Sequence, residues 1–281
     1  MRARITYGVA AALFAAAACA RKEQAPPPAA AQSPAQPTSV TIHTKDFAYV
    51  APDSIPAGWV RFVLVNDGPS IHHATVFHLD SGKTAADLVE ALKHPGPIPG
   101  WAIPLGGPNA PSPGDTSDAT LQLTAGSYVL VCMVDVPGGV PHFMKGMFHP
   151  FTVTPSMTAT AAPVADDSLT LVDYAFKFSK PITAGAHTIL ISNGATQPHE
   201  IEMVKLAPGK TAQDLLAWLQ KPNGPPPGAG IGGAAFTAPG KSMFFSATFT
   251  PGNYLFICFV PDAKDGKPHF MHGMMLTQKV D

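Results

Sequence analysis

The strongest constraint on the fold is that most of the 281-residue sequence is present twice, at an offset of about 127 positions. Asp-Phe-Ala-Tyr at 46–49 is matched by Asp-Tyr-Ala-Phe at 173–176, and Gly-Lys-Thr-Ala at 82–85 recurs unchanged at 209–212. A non-repeating stretch rich in Thr, Ala and Pro separates the two copies. The repeat therefore predicts two domains of the same fold, each of ordinary domain size.

We expect the two domains to span residues 40–154 and 168–281, with the non-repeating stretch at 155–167 as the linker between them. A second tract, at 21–39, is rich in Pro, Ala and Gln and has no apolar periodicity. Such a composition favours an extended linker, which suits a domain held above a membrane.

Residues 1–20 have the pattern of a signal peptide. Two arginines precede an apolar run that is too short to span a membrane and that ends in small residues. The run closes with Ala-Ala-Ala-Cys at 16–19, which resembles the bacterial lipobox and makes Cys19 the expected site of lipidation. The same small residues are alternatively an ordinary cleavage site. We expect an exported protein of the periplasm or cell envelope, tethered to the membrane through a lipid on Cys19.

Charge and composition narrow the classes further. Lys plus Arg is 18 and Asp plus Glu is 19, so no excess of charge points to nucleic acid as a partner. Only 13% of the residues are charged, while there are 31 prolines and 25 glycines. Short strands joined by many turns produce this composition, which predicts an all-β fold.

The local patterns agree with strands. The β-branched and aromatic run at 59–65 ends at Asn-Asp-Gly, and runs at 128–132 and 254–258 are apolar on both faces, as in the central strand of a sandwich. One short helix interrupts each copy, with Thr84 and Thr211 as its N-cap candidates. A Pro/Gly-rich loop without an assigned role follows each helix.

Each copy carries the same four potential metal ligands in the same order: a His, a Cys about 60 positions later, a second His, and a Met five positions after that. The residues are His72, Cys132, His142 and Met147 in the first copy and His199, Cys258, His269 and Met274 in the second. Two imidazoles and a thiolate form a trigonal set, and a weak axial thioether completes a blue (type 1) copper site. The pattern predicts one copper ion per domain.

The segment from Asn193 to His199, with Pro198 before the His, resembles the segment that carries the first ligand in plastocyanin-like and amicyanin-like proteins. The Cys…His-x4-Met pattern, with Gly146 or Gly273 just before the Met, is similar to their C-terminal ligand loop. The resemblance is to the cupredoxin superfamily, the plastocyanin- and azurin-like blue copper proteins, and covers both domains. It implies two tandem cupredoxin-like Greek-key β-sandwiches.

The stretch between Cys and the second His departs from the small blue copper proteins. It contains nine residues in the first copy and ten in the second, which is longer than usual for that group. The loop is more similar to the type 1 loop of copper nitrite reductases, which is also long. Long spacing is therefore compatible with copper.

Other interpretations of these residues stay open at this stage. Cys132 and Cys258 are alternatively a disulfide or two inert buried thiols. Met144 and Met271 compete as thioether ligands, although we expect them to be surface or packing residues. Four histidines without counterparts suggest either a second metal or solvated and hydrogen-bonded roles, of which we expect the latter. These histidines are His73, His78, His94 and His149.

Three functions follow from a copper site of this kind. The first is electron transfer between redox protein partners, through an apolar surface around His142 and His269. The second is a copper oxidoreductase similar to the two-domain nitrite reductases. Those enzymes place a His directly before the Cys, whereas this sequence has Val131 and Ile257 at the two equivalent positions. We therefore expect that the chain is not an enzyme. The third is copper storage or delivery without redox traffic.

Overall fold

The computed structural model describes residues 35–94, 96–136 and 138–281, together with Ala3, Arg4 and Gly8. Most of the signal peptide predicted at 1–20, the predicted lipidation site Cys19 and most of the linker predicted at 21–39 lie outside these residues. Across the described part of the chain, no helix has the length and the apolar character needed to cross a membrane.

Within the described residues, the first half contains eleven strands, one α-helix and one 3-10 turn (His142–Lys145). The elements are β1 (Thr38–Lys45), β2 (Ala48–Val50), β3 (Ser54–Pro56), β4 (Gly58–Asn66), β5 (Thr75–Leu79), α1 (Ala85–Leu92), β6 (Ala102–Pro104), β7 (Thr116–Leu123), β8 (Gly126–Val131), β9 (Asp135–Val136), β10 (Val140–Pro141) and β11 (Phe148–Thr154).

The second half repeats this plan with fewer strands and its own 3-10 turn (His269–His272). The elements are β12 (Asp167–Val172), β13 (Ala175–Phe178), β14 (Gly185–Asn193), β15 (His199–Leu206), α2 (Ala212–Gln220), β16 (Gly228–Thr237), β17 (Ser242–Phe249), β18 (Gly252–Ile257) and β19 (Met275–Val280). The predicted all-β fold, with two cupredoxin-like sandwiches and one short helix in each, is confirmed.

One layer of the sandwich is a single sheet that runs through both halves. Its strand order is β13-β12-β14-β17-β7-β4-β1-β2, and its centre is the antiparallel pairing of Phe244 in β17 with Thr120 in β7. Alternate residues of its strands point into the sandwich, as in β4, where Val60, Phe62 and Leu64 are buried. This alternation produces the strand pattern visible in the sequence.

The other layer consists of a five-stranded sheet, β3-β11-β8-β5-β6, and a four-stranded sheet, β16-β15-β18-β19. Phe62 of the first layer meets Phe151 of β11 edge-on, with ring centroids 6.1 Å apart. Helix α1 covers the outer face of β8, where Val129 and Val131 pack with Leu88. Because β8 is covered on both faces from Tyr128 to Val131, its sequence is apolar over these four residues.

Both helices begin at the predicted residues. Thr84 accepts a hydrogen bond from the backbone N–H of Asp87, whose carboxylate accepts one from the Thr84 N–H in return. Thr211 and Asp214 form the same reciprocal capping box in the second half. The repeat therefore extends to the hydrogen bonds of the helix caps.

The two Pro/Gly-rich segments pair with one another where the halves meet, and the second of them is partly strand β16. Isolated antiparallel bridges join Leu105 to Thr237 and Pro108 to Ala234. A Cβ on Gly107 would lie 2.1 Å from the carbonyl oxygen of Ala74, so glycine is needed for this close approach. The described residues from 35 onward form one compact unit, in which the halves are joined through both layers. The exact domain boundaries at 40–154 and 168–281 stay a prediction.

Candidate metal centres

The first candidate centre brings His72, Cys132 and His142 together from three places in the chain. His72 precedes β5, Cys132 directly follows β8, and His142 begins the 3-10 turn. One ligand atom from each residue lies within 4.8 Å of the others. The Nδ1 atoms of the two histidines are 3.1 Å apart, and the Cys132 Sγ is 3.5 Å from Nδ1 of His142. All three side chains are buried.

The second candidate centre has the same construction. His199 is the first residue of β15, Cys258 follows β18, and His269 begins the second 3-10 turn. The Cys258 Sγ lies 3.4 Å from Nδ1 of His269 and 3.9 Å from Nδ1 of His199. All three residues are buried, and their ligand atoms again lie within 4.8 Å of one another.

The turn after the second His returns the chain to the Cys. In the first half this turn ends at Gly146, which has a φ of 102°, a conformation that favours glycine. The Met147 N–H then donates to the carbonyl oxygen of His142, and the Cys132 N–H donates to that of Met147 at 3.2 Å. Met147 is therefore a backbone neighbour of the Cys, and its side chain is fully buried in the same cluster as the thiol.

The second half reproduces this return through Gly273. The Met274 N–H donates to the carbonyl oxygen of His269, and the Cys258 N–H donates to that of Met274. Met274 is fully buried beside Cys258 in the core, whereas the competing thioethers Met144 and Met271 are 48% and 60% exposed. The burial favours Met147 and Met274 as the axial residues of the two candidate centres.

A carboxylate stands behind the first imidazole of each centre. His72 Nε2 lies 2.9 Å from Asp46 Oδ1, and His199 Nε2 lies 3.0 Å from Asp173 Oδ1. Such a pair fixes the proton on Nε2 and leaves Nδ1 free to face a metal. Sequence reasoning missed this role, although the signal was present because both Asp residues belong to matched segments of the repeat.

Burial sets the protonation of the candidate ligands. It lowers the pKa of His142 and of His269 to about 4, so both imidazoles are neutral near pH 7 and can act as ligands. It raises the pKa of the Cys132 thiol to about 12 and also raises that of Cys258. A bound metal cation deprotonates a coordinating thiol outright. A trigonal set of two neutral nitrogens and one sulfur that ionises on binding fits copper.

In each half, the residue that follows the first ligand His accepts a hydrogen bond from the backbone N–H of the residue after the Cys. In the first half His73 Nε2 accepts a hydrogen bond from the Met133 N–H at 3.3 Å. In the second half the carboxylate of Glu200 accepts one from the Phe259 N–H at 2.9 Å. His73 is thus a hydrogen-bonding residue. Within the described residues, neither it nor His78, His94 or His149 belongs to a group of three potential metal ligands.

The geometry changes one sequence-based expectation and decides one alternative that the sequence left open. The imidazoles of His142 and His269 are 2% and 0% exposed, so they do not form the predicted apolar surface. The exposed side chains beside them are Met144 and Met271. Cys132 and Cys258 are free thiols, which leaves the described part of the chain without the alternative disulfide.

No protein-family model matches this chain, and no curated protein matches it. Among solved structures, a dithionite-reduced auracyanin from Roseiflexus castenholzii is 21% identical, covers 43% of this chain and 99% of its own, and has a TM-score of 0.29. A multicopper oxidase is 15% identical, covers 86% and 88%, and has a TM-score of 0.24. A copper-containing nitrite reductase from Thermus scotoductus is 13% identical, covers 88% and 62%, and has a TM-score of 0.24. These proteins share the cupredoxin fold; at TM-scores this low, the candidate centres depend on the geometry described above.

These matches correct one expectation. The absence of a His directly before either Cys led to the expectation that the chain is not an enzyme. The solved structures that match 84–89% of the chain include oxidases and a nitrite reductase, which are enzymes. Val131 and Ile257 therefore argue only against a His-Cys connection between copper centres. The expectation that the chain is not an enzyme is wrong.

Proposed function

We propose that each half of the protein binds one copper ion in a type 1 site and that the protein transfers electrons between redox protein partners. The observation that carries the proposal is the duplicated, fully buried convergence of two imidazole nitrogens and one thiol sulfur beside a buried methionine. The proposed ligands are His72, Cys132, His142 and Met147 in the first half and His199, Cys258, His269 and Met274 in the second.

The surrounding protein supports this function by holding the ligands in place. Cys132 lies at the end of a central strand, and its backbone N–H is bonded across the hairpin to Met147. The first imidazole, His72, is fixed by the Asp46 carboxylate. Ligands held in this way change position little when the metal changes oxidation state, which favours electron transfer. Bound copper supplies the one-electron couple.

The partners and location belong to the same proposal. We infer that redox proteins approach at the exposed side chains of Met144 and Met271, which flank the buried second imidazoles. Encounters between redox proteins use small interfaces, often below about 1,200 Å². We also propose export to the periplasm or cell envelope with a lipid on Cys19 as the anchor. Replacing Cys19 with Ala should move the protein from the membrane fraction to the soluble fraction, and unchanged membrane association would contradict the anchor.

A redox titration tests electron transfer against copper storage or delivery. Protein loaded with Cu(II) should show an intense thiolate-to-copper absorption band that disappears on reduction and returns on oxidation. Storage or delivery would give a colourless protein that holds only Cu(I) and shows no reversible band. The double variant Cys132→Ser, Cys258→Ser is the matched control, because it should lose the band in the same fold.

A further inference from the structure

The second imidazoles of the two centres differ in what stands behind them, and this difference bears on the electron transfer proposed above. Each half has a carboxylate behind its first imidazole, Asp46 or Asp173. Among the described residues, only the second half has a further carboxylate, Asp262, behind the other imidazole. Its Oδ2 lies 3.7 Å from Nε2 of His269. That Nε2 atom is buried and has no hydrogen-bond partner among the described residues.

Asp262 is held in this position by a hydrogen-bond network. The Tyr174 hydroxyl donates to Oδ2 at 2.6 Å, and the Gln197 side-chain amide donates to the same oxygen at 3.0 Å. The backbone N–H of Lys264 donates to Oδ1 at 2.8 Å. Both oxygens of Asp262 therefore act as acceptors, as those of an ionised carboxylate do.

The first half lacks every member of this network. Val136 stands four residues after its Cys, where Asp262 stands four residues after Cys258. Phe47 replaces Tyr174, and Ser70 replaces Gln197 two residues before the first ligand His. The three residues that differ between the halves contact one another in the second half. We therefore treat Tyr174, Gln197 and Asp262 as one hydrogen-bonded group.

The electrostatic consequence has a definite sign. At 3.7 Å from Nε2 of His269, the Asp262 carboxylate is too far away for a hydrogen bond, and it acts by adding negative charge near the metal site. Cu(II) carries one more positive charge than Cu(I), so nearby negative charge stabilises the oxidised ion more. Asp262 is only 4% exposed, which reduces the screening of this effect by water.

We infer that Asp262 lowers the reduction potential of the second copper centre below that of the first, so that electrons pass within the protein from the second half to the first. With copper bound at both sites, one electron would leave the second centre, taking it from Cu(I) to Cu(II), and would reduce the first centre from Cu(II) to Cu(I). No proton or bond is exchanged, and the external donor and acceptor are the redox proteins of the proposed function.

A hydrogen-bonded route joins the ligands of the two centres. Ala74, two residues after the ligand His72, donates its N–H to the carbonyl oxygen of Pro108 at 3.0 Å. The next residue, Asn109, donates from its side-chain amide to the carbonyl oxygen of Ile201 at 3.2 Å. Ile201 lies two residues after the ligand His199. The route consists of covalent bonds and two hydrogen bonds, and it is buried.

Asp262 also lies within 4.8 Å of Asp265 and His272, a group that could hold a cation. The oxygens of Asp262 already accept three hydrogen bonds, and Lys267 Nζ lies 3.4 Å from Asp265. A cation there would cancel the negative charge and raise the potential of the second centre. The experiment below therefore includes this outcome.

The test uses the full chain with one centre removed at a time. Cys132→Ser leaves the second centre, Cys258→Ser leaves the first, and each potential is read from the absorption band during a redox titration. We expect the second centre to have the lower potential. Adding Asp262→Asn should raise it by about 59 mV or more, which corresponds to a tenfold change in the Cu(I) to Cu(II) ratio. The matched variant Val136→Asp should lower the potential of the first centre, whereas Val136→Asn should shift it less.

The outcomes separate this inference from the proposed function. Loss of the copper band in both single-centre proteins would refute the function itself. Two coloured centres with equal or reversed potentials, or a second centre that does not respond to Asp262→Asn, would overturn the inference. A third metal equivalent that disappears with Asp265→Asn, together with a higher potential at the second centre, would overturn it as well. If Asp262→Asn fails to fold, the Val136→Asp arm decides, because a carboxylate that does not lower the first potential contradicts the mechanism.

Discussion

The two halves of the protein have the same proposed ligands but different residues around them. Beside the thiol, Tyr49 and His73 in the first half are replaced by Phe176 and Glu200 in the second. The Tyr49 hydroxyl donates to the carbonyl oxygen of His73, a bond that Phe176 lacks the hydroxyl to make. The comparison teaches that strand ends and one turn place the ligands, whereas the neighbouring side chains tune each centre separately.

The largest effect on stability is expected at two matched glycines, one in each half, where the two Pro/Gly-rich segments meet. Gly107 and Gly233 both have a φ of +140°, and a Cβ on either would lie 2.1 Å from a carbonyl oxygen. Replacing either with Ala should lower the free energy of unfolding by about 4 kcal/mol or more, measured by chemical denaturation. Gly100→Ala is the control, because nothing lies within 4 Å of its Cβ position. Tolerance at only one of the two glycines would show that the halves do not meet symmetrically.

The metal-free protein should respond to pH in opposite directions through the matched residues His73 and Glu200. Burial, together with the charges of the neighbouring His142 and His72, lowers the pKa of His73 to about 3 from 6.5. The unfolded chain then binds the extra proton, so stability falls as pH drops from about 6.5 to about 3. Burial raises the pKa of Glu200 to about 7 from 4.5, so stability falls as pH rises through that interval.

At about 1.4 kcal/mol per pKa unit, these shifts correspond to contributions of roughly 3 to 5 kcal/mol each. Denaturation of the metal-free protein across the pH range measures them. His73→Gln should flatten the acid side of the stability curve and Glu200→Gln the side above pH 4.5. If both variants flattened the same side, the contrast between the two buried groups would be refuted.

A smaller and equal effect is expected at the carboxylates behind the first imidazoles. Asp46→Asn and Asp173→Asn remove the charge that orients His72 and His199. Loss of such a partner typically weakens metal affinity by about 10–100-fold. Competition with a copper chelator, carried out in the single-centre proteins, measures each site separately. Unchanged affinity at one centre would mean that its Asp only contributes to packing.

The smallest effect concerns the helix caps, which the halves share. Thr84→Ala and Thr211→Ala each remove one side chain of a capping box, so each should cost about 1 kcal/mol of stability. Both variants should keep their copper, because the helices lie away from the ligands along the chain. Thermal denaturation and copper content test this together, and copper loss from either variant would link a helix to its centre.

The ligands could be predicted from the sequence because the repeat presents the same four residue types twice in one order. The same reasoning did not find Asp262, because it has no counterpart in the first half and a repeat reveals only what is duplicated. Asp46 and Asp173 are duplicated, but their pairing with imidazoles spans 26 residues and depends on how the strands fold.

The way in which the two halves meet could not be predicted from the sequence either. The Pro/Gly-rich segments after each helix have the composition of loops. Gly228–Thr237 is nevertheless a strand, because it pairs with β15 on one side and with the Pro/Gly-rich segment of the first half on the other. Tertiary pairing overrides local preference there. The burial of His142 and His269 has the same kind of cause, since neighbouring segments cover their rings.

The copper content of the purified protein tests the central claim most directly. Metal analysis of the copper-loaded chain should give two ions per molecule, and one ion in each of the variants Cys132→Ser and Cys258→Ser. A wild-type protein that binds no copper, or a single Cys variant that keeps both ions, would contradict two independent centres built from these residues.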